Sequence, residues 1–124
     1  VFNSKGVEHM CFCTDCLAVA GSNATKTFNE NEIIEDGVCK LADRSALAGS
    51  IATMDRLVRT AVQQAGFPMD IACRMISETP AKIMGIYDRK GSLEPGKDAD
   101  IVLFDEKQEV KFVMQMGRIA RNDL

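Results

Sequence analysis

Apolar residues crowd positions 7–14 without a regular polar alternation, and the run predicts a strand buried on both faces that delivers Asp15 at its end. Residues 18–25, rich in Ala, Gly, Ser and Asn, predict a loop. Two short strands follow, near residues 32–34 and 38–41, joined by a turn at Asp36-Gly37. Leu57, Val58, Ala61, Val62 and Ala65 recur at helical spacing. They predict a helix capped by Ser50 or Thr53 and stopped by Gly66. A second helix starts at Pro68 or Met69, runs to about Ser77, and turns Ile71, Ala72, Met75 and Ile76 inward. Thr79-Pro80 reads as an N-cap followed by proline at the first helical position, opening a short third helix that Gly85 ends.

The texture changes after residue 90. Gly91, Pro95 and Gly96 punctuate a turn region, and residues 99–104 predict a strand. A polar turn at 105–108 leads into a second strand, with Val110, Phe112, Met114 and Met116 alternating onto one face before Gly117-Arg118 turns into a last short segment. The order is strand, small hairpin, three helices, terminal hairpin. It reads as α/β: the end of an α/β barrel over residues 1–90, joined to strands of a small β domain over 91–124.

Composition narrows the functional classes. The 124 residues are 46% hydrophobic and 27% charged, an ordinary balance for one soluble domain. A net charge of −3 argues against nucleic acid, whose phosphates select basic patches. No apolar run reaches the roughly 18 residues a membrane span needs. No secretory leader is visible, and the missing initial Met fits a piece of a longer protein. Five cysteines, an odd number, do not read as a secreted disulfide framework and predict a reducing, cytoplasmic setting.

Several residue groups are candidates for chemistry. Asp15 is the sharpest, because a carboxylate at the C-terminal end of a barrel strand points into the working face of that architecture. On its own, such an aspartate reads as a cap or turn residue. His9, Cys11, Cys13 and Cys16 raise the question of zinc, but the one C-x-x-C, Cys13-Thr14-Asp15-Cys16, has no second to pair with it. Three of the four lie on the strand predicted to be buried, where reduced cysteines behave as small hydrophobes. Asp98 and Asp100 could share a face as paired carboxylates, against the plainer reading of a turn and strand start. Lys82, Arg89, Lys90 and Lys97 are too scattered to mark a phosphate site.

Thr79-Pro80-Ala81-Lys82-Ile83-Met84-Gly85 and the run from Gly91 to Asp105 resemble the C-terminal signature of the amidohydrolase superfamily. Cys13-Thr14-Asp15 and Leu47-Ala48-Gly49-Ser50, leading into Thr53-Met54-Asp55, resemble segments of its sugar-phosphate deacetylases, the N-acetylglucosamine-6-phosphate deacetylase group. The sequence departs from that group at Cys16, where Ala is usual, and at Arg44-Ser45-Ala46, where Gly-Thr is more usual.

The resemblance implies the C-terminal end of a TIM barrel (last strand and helices) plus part of a small β-sandwich domain. It implies metal-dependent hydrolysis of the acetamide of an amino-sugar phosphate. Asp15 would be the catalytic acid and base, while Leu47, Ala48 and Gly49 would line the sugar pocket. Small residues there let backbone approach a ligand, although a plain loop before a helix cap would use them too.

A divalent metal, zinc or iron, is implied for the complete enzyme, with ligands on segments outside this chain. A small-molecule amino-sugar phosphate is the expected partner, in a homo-oligomer, most simply a dimer, with neither nucleic acid nor membrane involved. The chain alone is expected to be inactive. It is also expected to oligomerise or rearrange, because one strand and its helices cannot close a barrel. The rival readings are a dihydroorotase- or deaminase-like amidohydrolase and a non-catalytic structural or assembly domain.

Overall fold

A computed structural model describes residues 1–124. In chain order it holds α1 (Phe2–Lys5), a 3-10 turn (Val7–His9), β1 (Glu32–Glu35), β2 (Val38–Leu41), α2 (Met54–Gln63), α3 (Met69–Cys73), a π-turn (Arg74–Glu78), α4 (Thr79–Ile83), β3 (Ile101–Phe104), β4 (Val110–Gln115) and β5 (Arg118–Asn122). The architecture is a mixture of helices and antiparallel sheets. No helix is long and apolar enough to cross a membrane. The chain divides into two compact units: Cys13–Leu57, and Val1–Phe12 with Val58–Leu124.

The Cys13–Leu57 unit is built on the β1–β2 hairpin. Its two-residue loop is Asp36-Gly37, with φ values of 54° and 74°, the mirror-image turn that matches strand twist. Pairing runs from Glu35↔Val38 to Glu32↔Leu41. Single bridges Lys26↔Ile33 and Lys40↔Leu47 widen the ladder by one residue on each side. Cys39 is buried, and burial raises its thiol pKa, so it stays protonated.

The other unit centres on a long helical run. The structure corrects the expected break at Thr79-Pro80: residues 69–83 continue through a π-turn instead of restarting. Thr79 is helical, at φ −61° and ψ −49°, and its N–H donates to the Arg74 carbonyl, five residues back. Its hydroxyl donates to the Val7 carbonyl at 2.8 Å and caps nothing. Proline explains the wide turn. Pro80 has no N–H, and its ring would strike a carbonyl in ordinary helical register. Gly85, at φ 68°, ends the run as expected: its N–H donates to the Lys82 carbonyl at 3.1 Å, and the Ile86 N–H reaches the Ala81 carbonyl at 2.9 Å.

Val58, Ala61, Ala72, Met75, Thr79 and Ala81 form the buried centre of this unit. Ala65, expected inward, is exposed because α2 closes at Gln63. Phe2 and Phe67 stack edge to face with centroids 4.9 Å apart. Arg59 and Gln63 reach from α2 to the β3–β4 turn, donating to the Gln108 carbonyl at 3.2 Å and the Lys107 carbonyl at 3.0 Å.

The C-terminal strands form one meander in the order β3-β4-β5. The expected last short segment is thus a full third strand. Met116 is not on the face of Val110, Phe112 and Met114; it sits in the two-residue β4–β5 loop at φ 48°. A register shift at Val113/Met114 accompanies it.

The predicted strand over residues 7–14 is also corrected. Val7–His9 forms a 3-10 turn, and the backbone beyond is extended but belongs to no ladder. Met10 has φ −137° and ψ 135°, and the Phe12 N–H finds the Met75 carbonyl. A strand needs a paired neighbour, and none of these residues has one.

Candidate active site

Asp15 lies where the extended run gives way to turns. Its φ of 47° is left-handed, a conformation that aspartate tolerates better than most residues. Its side chain belongs to the exposed set. Two residues on, the Leu17 N–H donates to the Ser50 carbonyl at 2.8 Å, and Cys16 bridges Ser50 in parallel sense.

That pairing draws Gly49 against Asp15. A β-carbon on Gly49 would stand 3.3 Å from the Asp15 carbonyl oxygen and 3.1 Å from Leu17 Cδ2, and the glycine φ is 63°. Both the close approach and the backbone angle select glycine here. On the other side, the Ala48 N–H donates to the Cys39 carbonyl at 3.1 Å, and Leu47 pairs with Lys40. Leu47 is 69% exposed. Thus Leu47, Ala48 and Gly49 run between the hairpin and the segment carrying Asp15, all within one compact unit.

Ser50 does not cap α2. Its Oγ accepts the Ala52 N–H at 2.9 Å, while the Leu57 N–H goes to the Thr53 carbonyl. The contacts of Leu17 and Ser50 carry no signal in the sequence, because no periodicity links residues so far apart.

The cysteines depart from expectation. Cys11, Cys13 and Cys16 are exposed, Cys39 is buried and Cys73 lies between; all five are free thiols. Exposure alternates along residues 10–15, with Met10, Phe12 and Thr14 less exposed than Cys11, Cys13 and Asp15. Extended backbone accounts for the alternation. His9 is exposed, with Nδ1 3.1 Å from the Lys5 carbonyl. No group of three or more His, Cys, Asp or Glu side chains is arranged to hold a metal ion. The residues present therefore do not fit a resident metal.

Asp98 and Asp100 serve ion pairs. Asp98 accepts Arg89 at 2.9 Å and Lys90 at 3.1 Å, and Asp100 takes Lys90 and the Met116 N–H, the latter at 2.7 Å. Lys90 is the main cause holding both carboxyls below their ordinary range. Lys82 pairs with Glu78 at 2.5 Å. The Lys97 ammonium lies 3.5 Å over the Tyr87 ring.

The amidohydrolase family model matches residues 3–120. The chain belongs to the amidohydrolase family. Within that family, the human N-acetylglucosamine-6-phosphate deacetylase is 34% identical over 115 residues, which covers 91% of this chain and 28% of that protein. A crystal structure of N-acetylglucosamine-6-phosphate deacetylase from Pasteurella multocida superposes with a TM-score of 0.89 at 31% identity, covering 98% of this chain and 32% of that one. The Mycobacterium smegmatis deacetylase, solved as a mutant with N-acetyl-D-glucosamine-6-phosphate bound, matches at 28% identity and TM-score 0.84, over 98% of this chain and 33% of that one. This amidohydrolase chain thus spans about a third of the length of the proteins it matches.

Proposed function

We propose that the chain is the C-terminal part of an N-acetylglucosamine-6-phosphate deacetylase. The complete enzyme hydrolyses the acetamide of the sugar phosphate to glucosamine 6-phosphate and acetate. The single observation that supports this reading is the approach of Gly49 to the Asp15 main-chain carbonyl, which brings the backbone of the proposed catalytic residue against the proposed sugar-binding segment.

In this reading residues 1–90 end an α/β barrel and residues 91–124 contribute strands to a small β domain. Amide hydrolysis needs a base for the attacking water and an acid for the departing amine. The Asp15 carboxylate takes the water proton, then returns a proton to the amine nitrogen as the C–N bond breaks. Leu47, Ala48 and Gly49 line the sugar. The enzyme works in the cytoplasm as a homodimer, and a divalent metal, zinc or iron, is held by residues outside this chain.

Asp15→Asn in the complete protein tests the reading. Acetate release from N-acetylglucosamine 6-phosphate falls by roughly 10²–10⁴-fold if Asp15 is the proton carrier. Retention of more than half the activity refutes that role. The 124-residue chain by itself, incubated with the sugar phosphate and zinc, releases no acetate above background. Assaying dihydroorotase and deaminase substrates beside the sugar phosphate with the complete protein separates the deacetylase reading from its amidohydrolase rivals.

A further inference from the structure

Glu35 ends β1 opposite Val38. Ile33, Glu35, Val38 and Lys40 therefore share one hairpin face, because side chains alternate along a strand and paired positions lie side by side. A side chain from outside the ladder reaches Glu35. Arg44 Nε donates to Glu35 Oε2 at 2.9 Å, and its Nη2 donates to Oε1 at 3.1 Å. Lys40 Nζ adds a bond to Oε2 at 3.2 Å and one to Asp36 Oδ2 at 2.9 Å. A two-point guanidinium–carboxylate fork fixes orientation as well as distance, which a lysine cannot do. Arg44, first, and Lys40 hold the Glu35 carboxyl below its ordinary range.

The backbone at Arg44 has φ 62°. Glycine would adopt that angle with less strain, so arginine stands here against local preference. The loop is otherwise well tied. The Arg44 N–H donates to the Leu41 carbonyl at 2.8 Å, and Asp43 Oδ1 accepts the Ser45 N–H at 2.9 Å and hydroxyl at 2.6 Å. The Leu41 N–H closes the loop on the Ala46 carbonyl at 2.9 Å. Leu47 follows immediately, paired with Lys40. The fork thus joins the end of β1 to the loop that launches Leu47, Ala48 and Gly49.

We propose that Arg44 is a positioning residue: its fork onto Glu35 holds the 42–46 loop against the hairpin and so sets where Leu47, Ala48 and Gly49 stand beside Asp15. The proposal rests on the reading of those three residues as substrate contacts. The Arg44 side chain is 61% exposed and that of Glu35 32%, so salt screens the pair and weakens the hold.

The test uses the complete protein carrying this chain, with Arg44→Ala, Glu35→Gln and the double variant. Glu35→Gln is nearly isosteric and guards against loss of the fold. Hydrogen exchange of the peptide spanning residues 42–50 is read by mass spectrometry, beside KM and kcat for N-acetylglucosamine 6-phosphate. Each single variant speeds exchange roughly threefold to tenfold, and the double goes no further, because both remove one coupling. KM rises by about the same factor while kcat stays within about twofold.

Unchanged exchange in either single variant, or additive effects in the double, overturns the proposal. So does a KM effect confined to Arg44→Ala, which would make Arg44 a direct ligand contact, or a fall in kcat at constant KM. If the protein fails to hydrolyse the sugar phosphate, the deacetylase reading falls, and the exchange data still decide whether the fork holds the loop.

Discussion

The Phe12 N–H donates to the Met75 carbonyl at 3.0 Å. Met75 is fully buried in the π-turn. In that register its carbonyl would take the N–H of residue 80, but residue 80 is proline and has none. The freed acceptor goes to Phe12 instead, and the Thr79 hydroxyl takes the Val7 carbonyl nearby. One proline thus both widens the helix and supplies an anchor for the N-terminal segment.

Thr79→Val removes the hydroxyl and leaves the Val7 carbonyl short of a partner beside a residue that is only 2% exposed. The expected cost is about 1–3 kcal/mol, read as a lower urea midpoint. Pro80→Ala restores a competing N–H, so amide exchange at Phe12 quickens. An unchanged Phe12 amide in Pro80→Ala would show that Met75 does not depend on the missing donor.

Gly91→Ala is expected to destabilise far more. Its β-carbon would lie 2.7 Å from Ala81 Cβ and 3.1 Å from the Ser77 carbonyl, at a φ of 93°. Overpacking and left-handed strain together cost roughly 2–5 kcal/mol. Thermal unfolding checks this, and a midpoint within a degree of the parent would contradict the packing at α4.

Gly49→Ala separates site from scaffold. The new methyl meets Leu17 Cδ2 at 3.1 Å and the Asp15 carbonyl at 3.3 Å, contacts that oblige the neighbours to shift. In the proposed site, a misplacement of about 1 Å would cost on the order of 10²-fold in rate, and a shift of a few tenths of an ångström correspondingly less. Acetate release by the complete protein is therefore expected to fall at least tenfold, while the unfolding midpoint moves modestly. Equal activity in parent and variant would remove Gly49 from the site.

The pairing of Lys90 and Arg89 with Asp98 predicts a pH dependence. Lys90, first, and then Arg89 lower the folded-state pKa of Asp98, and Lys90 lowers that of Asp100. A carboxylate with a depressed folded pKa stabilises the fold fully above its unfolded value, about 3.9, and that contribution is lost as pH falls through the folded value. Urea midpoints measured from pH 6 down to pH 3 should fall with a shallower slope in Asp98→Asn than in the parent. Identical slopes would show that these ion pairs contribute nothing.

Local rules were enough for part of this protein. The Asp36-Gly37 turn lay between two short apolar runs, so the β1–β2 hairpin was readable from neighbouring residues alone. The α2 stripe and the Gly85 stop were equally local, as helix bonds reach only four or five residues. Asp15 was proposed as a site residue from its strand-end position together with resemblance, and Leu47, Ala48 and Gly49 through resemblance, since no spacing relates position 15 to position 49.

What lay beyond the sequence depended on partners distant along the chain. An apolar run over residues 7–14 could not announce that it would lack a ladder, nor that Cys11 and Cys13 would end exposed. Thr79-Pro80 carries the local marks of a helix start, yet Val7 and Phe12 turned it into the middle of a longer run. The fork of Arg44 onto Glu35 is equally silent in the sequence. Hydrogen-bond donors and acceptors choose among all the groups that folding brings near them. Short-range pattern decides which elements can form, and tertiary contact decides which of them pair, continue or stay open.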